Sequence, residues 1–231
     1  MFPLRDTERS FTKPVVTVLL IVINVLIFLF EASLGPAYRD AFIRAYGMVP
    51  DEFTFTSLLT SMFLHGGWMH VLGNMWFLWI FGDNVEDLLG HGKFLLFYLV
   101  CGAAAGMAQV LVDPTSRIPT VGASGAIAGV MGAYMVKFPH SRILSLVTII
   151  VFFTTVEVPA WLMLIYWFFI QLFQGIGSIG FSHISQGGGV AYMAHVGGFV
   201  TGALLIMLMA PRARFTPGPP YEPPPRDLYW R

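Results

Sequence analysis

Charged residues and cysteines are scarce in this sequence. Only 11% of its 231 residues are charged, whereas 56% are hydrophobic. Soluble domains carry about 25% charged residues, so an ordinary soluble domain is excluded. The net charge is zero, which does not indicate a nucleic-acid partner. The one cysteine, Cys101, excludes an intrachain disulfide and a cysteine-cluster metal site, and we expect neither a metal nor a cofactor.

Long apolar runs are what the sequence has instead. A helix needs about 20 apolar residues to cross about 30 Å of hydrocarbon. Six runs predict an all-α polytopic membrane protein, a six-helix transmembrane bundle, with spans at residues 15–32, 67–81, 94–111, 124–138, 159–174 and 192–210. Two shorter apolar stretches, 53–64 and 143–153, cannot cross alone and are expected at the interface or against the bundle. The long connection 33–66 is expected to be a structured element at the outer surface.

Basic residues indicate the orientation of the spans. With the N-terminus inside, ten of the 13 Lys and Arg residues are cytoplasmic and three are outside, which fits the positive-inside rule. We expect both termini to be cytoplasmic, in a plasma membrane or a bacterial inner membrane. The first run is too long for a signal peptide and is expected to be retained. The expected organisation is a cytoplasmic segment 1–14, a six-span domain 15–210 and a proline-rich cytoplasmic tail 211–231, extended or disordered.

Polar side chains inside apolar spans are costly, so those present are candidates for function. His65, His70 and Asn74 open the second span, Ser124 opens the fourth and His195 opens the sixth. Because these three spans run in the same direction, all five residues fall near the outer end. The length of the fourth span predicts that Ser124 lies about 10 Å below the outer boundary, after an irregular segment 112–122. We expect His65 to hold the loop before the second span.

Small residues predict how the fourth and sixth spans meet. On one face, each carries a polar residue followed by small ones: Ser124, Ala128 and Gly132 in the fourth span, and His195, Gly198 and Gly202 in the sixth. Such faces let transmembrane helices approach closely. We therefore expect His195 within hydrogen-bonding range of Ser124, as a base beside a nucleophile. No carboxylate is placed to orient His195, so the expected site is a dyad.

A developing oxyanion needs hydrogen-bond donors. The backbone N–H of Ser124 lies at a helix N-terminus, which favours negative charge. His70 and Asn74 are four residues apart on one helix face and could supply two further donors. Gly122 and Gly125 leave room around the turn. Each residue also has an ordinary structural explanation, as a helix cap, a core histidine or a packing glycine, but their coincidence at one depth favours a site.

These motifs resemble the rhomboid family of intramembrane serine proteases over about residues 60–202. The motifs are His65, His70 and Asn74, the run Gly122-Ala123-Ser124-Gly125, and His195 followed by Gly198 and Gly202. The resemblance implies a six-helix core, a Ser124 nucleophile, a His195 base and an oxyanion hole of His70, Asn74 and the Ser124 amide. It also implies substrates that are membrane proteins, cleaved in or near a transmembrane segment. Glu86 matches a glutamate that is expected to be structural.

Two positions depart from the family's pattern. Many members have Trp-Arg eight to nine residues before the first motif histidine, where this chain has Thr56 and Ser57, so the usual anchor of the first loop is missing. Some members have an aromatic residue one turn after the serine, where this chain has Ala128. His195 is therefore expected to be held by packing alone.

Other classes of function fit the sequence less well. A non-catalytic relative that binds transmembrane helices, as a chaperone or a degradation adaptor, would be expected to lack Ser124 or His195. A transporter that uses histidines as a proton path would show mid-membrane acidic residues or repeated halves. The sequence has no HExxH motif and no second intramembrane aspartate, which disfavours other intramembrane proteases. The expected partners are membrane-protein substrates and the lipid bilayer, with no nucleic acid and no metal.

Overall fold

A computed structural model of the chain describes residues 2–149, 152–179 and 191–210. This part of the chain forms eight α-helices: α1 (Val15–Ser33), α2 (Pro36–Tyr46), α3 (Phe55–Thr60), α4 (Trp68–Leu89), α5 (His91–Val112), α6 (Ser124–Lys137), α7 (Ala160–Ile179) and α8 (Tyr192–Met209). It also contains 3₁₀ turns at Pro50–Glu52 and Ser61–Phe63, and the strands β1 (Phe2–Asp6), β2 (Arg142–Ile149) and β3 (Phe152–Pro159). The protein is mainly helical, as the sequence predicts.

The six predicted spans correspond to α1, α4, α5, α6, α7 and α8. The largest difference is in α4, which continues past its predicted end at residue 81 to Leu89. Asp83, Glu86 and Asp87 make this part polar, but acidic residues do not end a helix. Gly90 does, because its φ of +76° lies in the left-handed region that glycine adopts without strain.

Four helices in the described part of the chain are long and apolar enough to cross a membrane: α1, α5, α8 and the segment Ala160–Gly177 of α7. The other two predicted spans do not meet that description. Helix α6 has only 14 residues, and α4 carries its acidic residues in its last two turns. The number of spans therefore stays a prediction.

A three-stranded antiparallel sheet corrects the expectation of a purely helical protein. Its strand order is β1-β2-β3. Strands β2 and β3 cover the described residues of the stretch 143–153, where β-branched and aromatic residues favour strands. Strand β1 lies in the segment 1–14 and pairs with β2 from Phe2 to Asp6. The indole Nε1 of Trp76 donates a hydrogen bond to Pro3 O at 2.7 Å, which holds β1 against α4.

The connection 33–66 is structured, as expected. It contains α2, α3 and both 3₁₀ turns, and Met48 pairs with Thr120 in an isolated β-bridge. The stretch 53–64 forms α3 and the turn that follows it. The tail 211–231 lies outside the described residues.

Helix α6 lies in the centre of the molecule. All of its residues from Gly125 to Tyr134 are buried, and it packs against α4, α5 and α8. Ser124 is therefore the first residue of a helix that is enclosed along most of its length.

Candidate active site

Ser124 and His195 are in direct contact. Ser124 is the first residue of α6, and His195 lies in the first turn of α8. His195 Nε2 is 2.7 Å from Ser124 Oγ, and both residues are partly buried. At this distance an imidazole can accept the proton of a serine hydroxyl.

Glycines allow α6 and α8 to approach closely enough for this contact. A Cβ atom on Gly198 would lie 2.0 Å from Gly125 O, and one on Gly202 would lie 2.0 Å from Gly129 O. No side chain fits at either position, so the two backbones are in contact, as they are at small-residue interfaces of transmembrane helices. The predicted close approach is confirmed.

The predicted face of α6 is right at Gly132 and displaced by one residue before it. A Cβ atom on Gly132 would lie 2.2 Å from Phe199 O of α8, but the other glycine contacts are at Gly125 and Gly129, one position after the predicted Ser124 and Ala128. Successive residues are about 100° apart around a helix, so Ser124 lies at the edge of the contact rather than within it. Its hydroxyl can therefore reach the ring of His195.

His195 has a second hydrogen-bond partner on α7. Its Nδ1 is 2.7 Å from Oε1 of Gln171, which is only 9% exposed. One turn earlier, the ring of Trp167 lies 5.8 Å from the imidazole, with 36° between the planes. The expectation that packing alone holds His195 is therefore wrong.

Gln171 and Trp167 are not among the predicted site residues, although the sequence contains a signal for them. Gln171 is a polar residue in the predicted span 159–174, and polar residues in spans are candidates for function. Its spacing of four from Trp167 puts both residues on one helix face. What the sequence does not reveal is that this face turns towards α8.

His70 and Asn74 bring hydrogen-bond donors to the same place. His70 Nδ1 accepts a hydrogen bond from the backbone N–H of Gly66 at 3.2 Å. A neutral imidazole that accepts at Nδ1 carries its proton on Nε2, which makes Nε2 a donor. Asn74 is 8% exposed, and its Nδ2 has no hydrogen-bond partner among the described residues.

At Gly122 the chain lies next to the side chains of His70 and Asn74. Its φ of +126° favours glycine, and its N–H donates to Ser61 O at 2.9 Å. A Cβ atom at this position would lie 2.7 Å from His70 Nε2 and 3.5 Å from Asn74 Nδ2. The fully described residues 113–123 contain no helix and no strand, which confirms the irregular segment expected before Ser124.

These groups surround one cavity of about 1100 Å³. Its lining includes His70, Asn74, Gly122, Ser124, Trp167 and His195. Within the three described ranges, no group of three or more His, Cys, Asp or Glu side chains could hold a metal ion. A hydroxyl, a base and a set of donors around one space suit acyl transfer.

Comparison with known proteins decides the family. The family model of the Rhomboid domain matches residues 52–212, which is more than half of the chain. The chain belongs to the rhomboid family. With its long apolar helices, this rhomboid is an integral membrane protein.

Several relatives are about one-third identical to this rhomboid. Rhomboid protease GluP of Bacillus subtilis (strain 168) is 33% identical over 141 residues, which are 59% of this chain and 27% of GluP. Putative rhomboid protease YdcA of the same organism is 31% identical over 139 residues, 58% of this chain and 69% of YdcA. Rhomboid protein 1, mitochondrial, of Saccharomyces cerevisiae is 30% identical over 109 residues, 45% of this chain and 32% of the yeast protein. The chain thus spans less than two thirds of GluP and of the yeast protein.

The first loop of this rhomboid is anchored without the Trp-Arg pair of many family members. Thr54 caps α3 by accepting a hydrogen bond from the N–H of Ser57 at 3.2 Å. Thr60 Oγ1 donates to Tyr46 O at 2.6 Å. Together with the bridge from Met48, these contacts fix the loop beside the cavity.

His65 is held through its backbone. Its N–H donates to the carboxylate of Glu31, at 3.3 and 3.2 Å from the two oxygens, and its carbonyl accepts from Arg39 at 3.2 Å. The buried ring lies 5.1 Å from that of His70, and neither of its nitrogens has a partner among the described residues. Glu31 and Arg39, which are not among the predicted site residues, therefore fix the loop before α4.

Proposed function

We propose that this rhomboid is an intramembrane serine endopeptidase in which Ser124 is the nucleophile and His195 is the general base. The observation that supports the proposal best is the 2.7 Å separation of His195 Nε2 and Ser124 Oγ. Relatives named rhomboid proteases, which match more than half of the chain, add support.

In the proposed reaction, His195 Nε2 accepts the Ser124 proton while Oγ attacks the carbonyl carbon of the substrate peptide bond. The resulting oxyanion collapses and the C–N bond breaks. The proton on Nε2 passes to the leaving amine, and the acyl group stays on Oγ as an ester. A water molecule then gives a proton to Nε2 and attacks the ester carbon. The bond to Oγ breaks, the proton passes from Nε2 to Oγ, and the carboxylic acid leaves, which regenerates Ser124 and His195.

The proposed oxyanion hole consists of His70, Asn74 and the backbone N–H of Ser124. As the first residue of α6, Ser124 has an amide without a partner inside its own helix. The Nε2 proton of His70 and the unpaired Nδ2 of Asn74 are available donors. Donors held in place before the charge develops stabilise the transition state more than the ground state.

The proposed membrane arrangement has six spans, α1, α4, α5, α6, α7 and α8, within residues 15–210, and both termini in the cytoplasm. The membrane is a plasma membrane or a bacterial inner membrane. Ser124 lies about 10 Å below the outer boundary. The cavity lets water reach that depth, which hydrolysis requires.

The proposed substrates are membrane proteins cut in or near a transmembrane segment. A helical peptide bond is shielded by its own hydrogen bonds, so a segment with glycine or other weak helix formers is opened at lower cost. The cavity of about 1100 Å³ has room for a short unwound segment beside Ser124.

Fluorophosphonate labelling tests the proposal. We expect a fluorescent fluorophosphonate to label the purified wild-type chain at Ser124, and Ser124→Ala and His195→Ala to prevent labelling. Cleavage of a single-span reporter protein should fall by about 10⁴-fold or more in both variants. Cleavage that persists in Ser124→Ala, or labelling of a different residue, would contradict the proposal and would favour a non-catalytic helix-binding protein.

A further inference from the structure

We propose that Gln171 is a positioning residue that sets the tautomer and the orientation of His195. This inference rests on the proposed function, because it assigns a role to a side chain that contacts the base and not the substrate. Its starting point is that both ring nitrogens of His195 are engaged, Nε2 by Ser124 and Nδ1 by Gln171, each at 2.7 Å.

Gln171 selects the tautomer of His195. A general base must present a nitrogen without a proton to the serine hydroxyl, so Nε2 must be bare and Nδ1 must carry the proton. Oxygen Oε1 of Gln171 can only accept a hydrogen bond. It therefore selects the imidazole with the proton on Nδ1, which is the form that can deprotonate Ser124.

Gln171 also stabilises the protonated form of His195. When His195 accepts the serine proton it becomes a cation, and the amide dipole of Gln171 points its negative end at Nδ1–H. A carboxylate at this position would stabilise the cation more strongly, but a buried unpaired carboxylate costs several kcal/mol. A buried amide (9% exposed) supplies the acceptor without that cost.

Gln171 and Trp167 together fix the orientation of the His195 ring. Gln171 and Trp167 lie one turn apart on the same face of α7, and they contact His195 through a hydrogen bond and a ring contact respectively. Two contacts from one rigid helix fix both the rotation and the tilt of the imidazole. They supply the orienting ring contact that an aromatic side chain at position 128 would give. This chain has alanine at that position.

Two replacements of Gln171 separate a positioning role from a packing role. Gln171→Met keeps the length and the apolar contacts but removes the acceptor. Gln171→Glu keeps the acceptor and adds charge. We expect Gln171→Met to lower kcat about tenfold, the effect of one lost hydrogen bond, with KM unchanged and the melting temperature lowered by no more than that one bond contributes. Gln171→Glu should keep more activity than Gln171→Met, whereas a packing role predicts the reverse order.

The pH dependence of kcat gives an independent readout. A carboxylate opposite Nδ1 favours the protonated ring, so the acidic limb of the profile should move to higher pH in Gln171→Glu, and in Gln171→Met it should move to lower pH. The groups that face His195 are Ser124 from α6, His70 from α4, and the uncharged Gln171 and Trp167 from α7. Because these others are unchanged in both variants, opposite shifts are attributable to position 171.

The experiment uses the purified full-length chain in detergent, with a single-span reporter protein and a fluorophosphonate probe. Gln109→Met, on α5 and away from the cavity lining, is the matched control and should behave as wild type. If the wild type neither cleaves the reporter nor reacts at Ser124, the proposed function is wrong and this inference falls with it. If the wild type does both and Gln171→Met equals it in kcat and pH profile, or loses melting temperature instead of kcat, only the role of Gln171 is wrong.

Discussion

The two ends of α4 use polar residues in opposite ways. At the end near Ser124, the Nδ2 of Asn74 is buried without a hydrogen-bond partner among the described residues. At the other end, the fully buried carboxylate of Glu86 accepts hydrogen bonds from Val16 N, Thr17 N and Thr17 Oγ1 at 2.7–2.8 Å, and lies 2.5 Å from His91 Nδ1. An unsatisfied buried donor is costly and is retained where a ligand will use it, whereas a saturated carboxylate holds elements together.

Replacement of Asn74 should separate activity from stability most clearly. Asn74→Ala removes a donor that makes no hydrogen bond in the resting state, so the free energy of unfolding should change by less than about 0.5 kcal/mol. Loss of one oxyanion-hole donor should lower kcat by about 10²–10³-fold, or about 2.7–4 kcal/mol. Reporter cleavage and the melting temperature of the same preparation measure both effects.

Asn84, ten positions further along α4, is the matched control. The side-chain amide nitrogen of Asn84 faces two carboxylates and donates to Asp6 at 2.8 Å and to Asp83 at 3.0 Å. Asn84→Ala should therefore lower the melting temperature and leave kcat near the wild-type value. Equal losses of kcat in Asn74→Ala and Asn84→Ala would mean that the two ends of α4 do not differ in their contribution to the reaction.

Replacement of Glu86 should have the next largest effect, and on stability. Helix α1 begins after Pro14 without a side-chain cap of its own, and Glu86 takes that role by accepting from the first amides of α1. Glu86→Ala leaves these amides buried and unpaired, so we expect a loss of about 2–3 kcal/mol in the free energy of unfolding. Unfolding in a denaturing detergent measures it.

Asp87 provides the comparison for Glu86. It accepts hydrogen bonds from Phe11 N and Thr12 N at 3.1 and 2.8 Å, but these bonds are exposed. Asp87→Ala should cost less than about 1 kcal/mol, because exposed charged contacts contribute little. If both variants lost the same stability, burial would not be what makes Glu86 important.

The sequence predicted the parts of this molecule that depend on local pattern. Apolar runs and small residues indicated the long helices, the start of α6 at Ser124 and the close approach of α8. Convergence of side chains from separate elements was less accessible. Gln171 stands beside His195 only because α7 turns one particular face inwards, and Glu31 reaches His65 from a helix more than 30 residues away. The contact face of α6 was predicted correctly at Gly132 but one residue, about 100°, away from Gly125 and Gly129.

The N-terminal strand shows a different limit. The segment 1–14 has no strong pattern of its own, and β1 forms because β2 offers a pairing edge and Trp76 offers a hydrogen bond. Such a strand is a tertiary effect, which local propensity does not predict.

Gly122→Ala tests whether the reaction depends on the close contact between Gly122 and the His70 ring. In Gly122→Ala the new Cβ would lie 2.7 Å from the His70 ring, which must move. We expect kcat to fall about tenfold, and the strained positive φ to cost about 1–2 kcal/mol of stability. Steady-state kinetics and thermal unfolding measure the two effects.

Gly90→Ala is the control that introduces backbone strain without displacing His70. It too has a positive φ, +76°, but a Cβ there meets no atom within 4 Å. Gly90→Ala should lose stability and keep kcat. A normal kcat in Gly122→Ala as well would mean that the position of His70 does not matter for the reaction.

A pH dependence of stability is expected at the Glu86 end of α4. Burial raises the pKa of Asp6 to about 6 from the usual 3.8, with a further contribution from the charge of Asp83, although the hydrogen bond from Tyr134 opposes it. Between pH 4 and pH 6 the folded chain therefore binds more protons at Asp6 than the unfolded chain does. The stability that Asp6 contributes is fully present below its pKa of 3.8 in the unfolded chain. It is lost as the pH rises through its pKa of about 6 in the folded chain.

Asp6→Asn removes this titration while keeping an oxygen that can accept from the Tyr134 hydroxyl, now 2.6 Å from the Asp6 carboxylate. We expect the wild type to lose melting temperature relative to Asp6→Asn as pH is raised from 4 to 7, with most of the change by about pH 6, and kcat of the two proteins to stay equal at neutral pH. Comparison of the two melting curves cancels the groups that titrate in both. A difference in melting temperature between the two proteins that stays constant from pH 4 to pH 7 would mean that Asp6 is solvated like a surface carboxylate. The polar residues around β1 would then be less buried than those around Glu86.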